Sequence, residues 1–116
     1  MNCKIPSMIR NNNLNMFVYN DILYFINNDT VCLLHRDNKI TIYLQLENDI
    51  KFFTKGNIFD VAATDDKIYV IYKNEIVTTM KKKITALKVD DYYIYIGNGH
   101  LFEIWEISKK YKFQMF

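Results

Sequence analysis

The chain has 116 residues, of which 50% are hydrophobic and 16% aromatic, and its formal net charge is +2. That apolar share excludes intrinsic disorder for the bulk of the chain, and the charge is too small to imply nucleic-acid binding by itself. The length is that of one domain or a piece of one.

Residues 1–13 read as a loose N-terminal arm, because Pro6 and the Asn11-Asn12-Asn13 run oppose regular structure. Residues 14–116 read as a single all-β repeat domain. A first strand is expected over Leu14–Tyr19, a turn at Asn20-Asp21, then strands over Ile22–Ile26 and Thr30–Leu34. After a break at Arg36–Lys39, Ile40–Leu46 alternates and places Ile40, Ile42, Leu44 and Leu46 on one face. A short strand follows at Ile50–Phe53, and Lys55-Gly56-Asn57 is a tight-turn signal. Two three-stranded meanders come next. The first is Ile58–Ala63, Lys67–Tyr72 and Glu75–Met80; the second is Ile84–Val89, Tyr92–Ile96 and Leu101–Ile107. Tyr111–Phe116 is apolar enough for one more strand. No segment shows sustained 3.6-residue periodicity, so no helix is expected.

Glycine numbers 3 and proline 1, so asparagine and aspartate carry the turn chemistry; their side chains bond nearby backbone and tolerate left-handed φ. The abundance of Asn, Lys, Ile, Tyr and Phe points to an A+T-rich genome, such as that of an intracellular parasite or a large virus. An acidic or amide pair precedes a β-branched and aromatic run three times: Asn20-Asp21 before ILYFI, Asp65-Asp66 before KIYVIY, and Asp90-Asp91 before YYIYI. The second meander begins about 26 residues after the first, and that one about 44 after the opening strand; a four-stranded propeller blade takes about 40–45. Roughly three blade-like antiparallel sheets are expected, one or more of them trimmed. Because the acidic pairs recur as turns, they read as turn formers rather than as general acids or bases.

Cys3 and Cys32 are the only cysteines, too few and too far apart for a disulfide framework. His35 and His100 add no metal-ligand spacing to them, so no metal and no other cofactor is expected. No serine elbow, phosphate loop or dinucleotide fingerprint occurs, so neither an enzyme nor a small-molecule substrate is expected. No apolar run is long enough for a membrane helix, and the segment MNCKIPSMIRNNN holds no signal-peptide apolar core. The expectation is an intracellular protein, cytoplasmic or nuclear.

Lys81, Lys82 and Lys83 form a basic run that could contact phosphate, with tyrosines nearby to stack on bases. The alternative reading of the run is a solvated loop with lysine protecting a strand edge. Trp105, with Phe102 and the tyrosines of 92–95, is a candidate partner-binding hot spot; the alternative is a core tryptophan between sheets. By alternation Phe102, Ile104 and Glu106 share one face of their strand, and Leu101, Glu103, Trp105 and Ile107 the other. Both faces are mostly apolar, as in a strand covered on both sides.

The stretch ITALKVDDYYIYIGNGHLFEIWEIS, Ile84–Ser108, resembles a WD40 repeat. Ile84–Val89 match the first apolar strand, Asp90-Asp91 the acidic turn, and Tyr93–Gly97 the second strand. Asn98-Gly99-His100 match the next turn, and Ile104-Trp105-Glu106-Ile107 the strand that closes on Trp-Asp, with Glu106 in the aspartate's place. Kelch-type propellers are a second resemblance, through strands such as KIYVIY. The resemblance implies a partial or reduced β-propeller that serves as a non-catalytic scaffold within a larger assembly, with a lean toward a ribonucleoprotein complex. A ring of this kind normally needs more blades than 116 residues supply, so a protein partner is expected at the spare edges and faces. Phe102, Trp105, Tyr111, Phe113 and Phe116 are the expected partner-binding residues. Two alternatives stand beside it: a small RNA-binding β domain using the lysines and tyrosines, and a viral or parasite decoy for a host protein.

Overall fold

A computed structural model describes residues 16–107 and the strand Phe113–Met115. The described residues are all-β, without a helix, and hence without one long and apolar enough to cross a membrane. Among the described residues twelve strands make three four-stranded antiparallel sheets, none of them a closed barrel. Each sheet is a simple up-and-down run, in the orders β1-β2-β3-β4, β5-β6-β7-β8 and β9-β10-β11-β12. The chain divides into two compact units, residues 1–50 and 51–116.

The first unit holds β1 (Met16–Tyr19), β2 (Ile22–Asn27), β3 (Thr30–Leu34) and β4 (Ile40–Gln45). The hairpin between β1 and β2 turns on Asn20 and Asp21, both left-handed with φ of 49° and 64°. Two successive left-handed residues are what a type I′ hairpin needs, and Asn and Asp tolerate them. Phe25, Cys32 and Leu34 form a buried cluster against Leu23 and Ile40 on one face. On the other face Phe17 stacks on Tyr24 at 5.2 Å, and Tyr43 meets Tyr24 edge-on. After β4 the chain folds back over the β2–β3 turn: Leu46 N–H donates to the Asp29 carbonyl and Ile50 N–H to that of Asn28.

One detail of β4 departs from simple alternation. The register with β3 shifts between Val31 and Cys32, so Ile42 pairs with Cys32 while Leu44 pairs with Val31. The extra residue reverses the side on which the following side chains stand. Ile40, Ile42, Leu44 and Leu46 therefore do not share one face: Ile42 is 66% exposed and Leu44 is buried.

The second unit holds β5 (Phe52–Thr54), β6 (Phe59–Ala63), β7 (Lys67–Tyr72) and β8 (Glu75–Lys81) in one sheet. The other sheet comprises β9 (Ala86–Val89), β10 (Tyr93–Asn98), β11 (Leu101–Ile107) and β12 (Phe113–Met115). These two sheets bury facing sides against each other. Phe59, Val61, Ala63, Ile68 and Val70 come from the first; Leu87, Ile94, Ile96 and Ile107 come from the second. β6 is buried along its whole length, which suits its small, near-continuous apolar run. Asp60 is its one charged residue, and it accepts hydrogen bonds from Lys55 Nζ at 2.9 Å and Gly56 N–H at 3.1 Å. Gly56 is demanded by crowding, since a Cβ there would lie 2.3 Å from the Phe59 carbonyl oxygen.

The repeat is more regular than the acidic pairs suggest. The sheets open at Met16, Phe52 and Ala86, 36 and then 34 residues apart. Asp90-Asp91 lies between the first and second strands of its sheet, but Asp65-Asp66 lies between the second and third, because β5 joins ahead of β6. The acidic pairs are thus not equivalent positions. They share a local job, closing turns in which Thr64 N–H donates to the Lys67 carbonyl and Asp90 N–H to that of Tyr93.

Candidate functional site

The two faces of the β9–β12 sheet have different fates. Ile94, Ile96 and Leu87 point into the core. The opposite face is built by the intervening residues. On β10 these are Tyr93, Tyr95 and Gly97; on β11 they are Phe102, Ile104 and Glu106, paired to them as Gly97 with Phe102, Tyr95 with Ile104 and Tyr93 with Glu106. On β9 they are Ala86 and Lys88, level with Gly97 and Tyr95. Strand alternation makes this face inevitable once Ile94 and Ile96 are buried.

This face is apolar at its centre and open. Phe102 is 65% exposed, and Leu101, the first residue of β11, is 68% exposed. The turn before β11 holds Gly99 in the left-handed region at φ 62°, with its N–H donating to Thr85 Oγ1. Phe102 stacks on Tyr95 at 6.4 Å with the rings 20° apart. Tyr95 donates its hydroxyl to Asp90 Oδ2 at 3.5 Å. Desolvation first, and then the neighbouring Asp90 charge, push the Tyr95 phenol above its ordinary range. β11 is thus covered on one side only among the described residues, not on both as its apolar pattern suggests.

Trp105 stands on the other side of β11, paired with Ile94 and packed against the core. Phe102 and Trp105 therefore belong to different surfaces. Over the indole lies the Lys82 ammonium, 5.2 Å from the ring centroid. Lys82 also pairs with Glu103, its Nζ 2.6 Å from Oε2 and 2.7 Å from Oε1, both side chains about one-fifth exposed. Of the basic run, Lys81 and Lys83 are exposed and Lys82 is engaged with Glu103 and Trp105. Phe113 lies in β12, with its side chain outside the described structure, and Tyr111 and Phe116 lie outside the described residues.

Lys88 escaped the sequence reading. Its signal was present: Ala86 and Lys88 alternate with the inward Leu87 and Val89, which places Lys88 beside Tyr95 once β9 and β10 pair. One further concavity lies in the first unit, at the β3–β4 turn, lined by His35, Arg36, Asp37, Lys39 and Thr41. His35 Nε2 and Thr41 Oγ1 share a hydrogen bond of 2.9 Å there. Arg36 meets Asp21 at 3.1 Å and Lys39 meets Asp37 at 4.0 Å, so its cations already face carboxylates. Among the described residues no three His, Cys, Asp or Glu side chains converge to hold a metal. Comparison with protein-family models and with curated proteins finds no match to this chain.

Proposed function

We propose that the protein is a non-catalytic, β-propeller-type scaffold that binds a protein partner in a larger assembly through the outward face of its third sheet. The observation that carries this reading is the open strip of Tyr95, Phe102 and Ile104 on the third sheet, with Phe102 two-thirds exposed. Burying exposed aromatic area is the main source of affinity at protein interfaces, and a sheet presents it at little entropic cost. The spacing of 36 and 34 residues between three up-and-down sheets of four strands, and the burial of one sheet against the next in the second unit, support the propeller-type reading. The RNA alternative draws less support: the strip has Lys88 beside it but also Asp90 and Glu106, and Lys82 is engaged with Glu103.

Affinity capture from cells expressing the protein, comparing the natural chain with Phe102→Asp, tests this. The scaffold reading expects proteins retained in about 0.5 M salt and lost from the variant, since apolar contacts survive screening. Identical recovery on both baits refutes the assignment of the face. Bound material released by nuclease and by moderate salt favours the RNA reading instead.

A further inference from the structure

We infer that Asn98 is a site of spontaneous deamidation, and that the Thr85 hydroxyl holds the reaction in check. Asn98-Gly99 is the one Asn-Gly step in the chain. Every other described asparagine precedes a larger residue, whose side chain crowds the following nitrogen. The step closes the β10–β11 hairpin: Asn98 is the last residue of β10 and pairs with Leu101, the first of β11. Gly99 and His100 lie between them, and of the two only Gly99 has positive φ, at 62°. Glycine in the first central position is what a type II′ turn needs.

Two features leave the step open to reaction. Asn98 is exposed, and its carboxamide forms no hydrogen bond with another described residue. A Cβ built on Gly99 would meet nothing within 4 Å, so no packed group shields that residue. In the reaction the Gly99 backbone nitrogen gives its proton to a base in solution and bonds to Asn98 Cγ. The Cγ–Nδ2 bond breaks and ammonia leaves, which closes a five-membered succinimide. Water then opens the ring at one of its two carbonyls. The product is aspartate, or isoaspartate in which the backbone runs through Cβ. The sum is exchange of ammonia for water, with nothing oxidised or reduced.

One residue opposes this. Gly99 N–H donates to Thr85 Oγ1 at 3.1 Å. Thr85 falls level with Asn98, because Ala86 pairs with Gly97 in the antiparallel β9–β10 ladder. Its own N–H donates to the Gly97 carbonyl at 2.7 Å. Thr85 thus grips the backbone on both sides of Asn98. The attacking atom is the same nitrogen whose proton the hydroxyl holds, so that bond must be given up before the ring closes. The net worth of one neutral hydrogen bond corresponds to a rate factor of roughly fivefold. Modification adds a carboxylate to a hairpin whose next strand begins with the exposed Leu101 and Phe102. The isoaspartyl form also adds a backbone atom to the turn that sets Phe102 opposite Gly97.

Incubation of the full chain in mildly alkaline buffer tests this, followed over time by peptide mapping with mass spectrometry and by isoaspartyl methyltransferase labelling. In the folded natural chain the acid is expected at Asn98 ahead of the other described asparagines. Thr85→Val keeps the branched side chain and the backbone N–H but removes the acceptor, and is expected to react roughly fivefold faster. Thr85→Ser restores a hydroxyl and is expected to stay within about twofold of the natural chain. Thr85 is exposed, and circular dichroism checks that each variant keeps the fold. In unfolding urea all three chains should react at one rate, faster than the folded natural chain, because the clamp is gone and the Asn-Gly step remains. A folded Thr85→Val chain no faster than the natural one overturns the inference, as does a Thr85→Ser chain as fast as Thr85→Val. An acceleration by Thr85→Val that persists in urea, or acid forming first at another described asparagine, overturns it as well.

Discussion

Lys82 offers the sharpest test of how the tertiary structure reassigns a residue. Its ammonium lies 2.6 Å from Glu103 Oε2 and 5.2 Å from the Trp105 ring centroid, with the two ion-pair side chains 21% and 18% exposed. An exposed ion pair contributes about 0.5 kcal/mol, and breaking a fully buried one costs about 3–5 kcal/mol. At one-fifth exposure an intermediate value of about 1.5 kcal/mol is reasonable, and the cation–π contact adds about 0.5 kcal/mol. Lys82→Met keeps the aliphatic stem and removes only the charge, so it is expected to destabilise by about 2 kcal/mol. That corresponds to a melting shift of roughly 8–16 °C for a unit of this size. Lys81→Met and Lys83→Met, on exposed positions, should stay within about 0.5 kcal/mol. Urea unfolding followed by Trp105 fluorescence reads the site directly, because Trp105 is the only tryptophan. Combining Lys82→Met with Glu103→Gln in a double-mutant cycle should give a coupling of about 1–1.5 kcal/mol. A coupling below about 0.3 kcal/mol, or equal losses at all three lysines, would refute the reasoning and return Lys82 to the solvated loop.

Gly56→Ala places a Cβ 2.3 Å from the Phe59 carbonyl oxygen, so the unfolded-state entropy benefit of alanine is outweighed and a loss above about 2 kcal/mol is expected by thermal melting. The β7–β8 turn holds Lys73 and Asn74 in the left-handed region at φ 49° and 67°. Replacing the pair with Asn-Gly should stabilise by about 1 kcal/mol, and an unchanged or lower melting temperature would count against a type I′ turn there. Burial pushes the Cys32 thiol above its ordinary 9.0, so it should resist alkylation at pH 8 until urea opens the first unit. By linkage, the stability that the neutral thiol contributes is full below the unfolded thiol's pKa. It is lost as pH climbs through the higher native value, and a Cys32→Ser variant should lack this alkaline decline.

Much of the local architecture is legible in the sequence. Two-residue alternation located Thr30–Leu34, Lys67–Tyr72 and Leu101–Ile107 to the residue, and Asn and Asp marked the turns, because pleat and turn geometry act over only a few neighbours. The same alternation put Phe102 and Trp105 on opposite sides of β11. Sheet membership was not legible. Phe52–Thr54 carries no mark that assigns it to the sheet of β6, and without it the acidic pairs look equivalent when they are not. The residue that β4 adds opposite the Val31–Cys32 step is invisible to a pattern that counts by two. Nor could local sequence decide which apolar side of β11 is buried, or that Lys82 leaves its basic run to meet Glu103, since partners 21 residues apart are chosen by packing. The sequence determined where this chain is extended and where it turns, for those are short-range preferences. Only the tertiary structure decided which strands share a sheet and which face stays open, for those depend on long-range pairing and on what competes for burial.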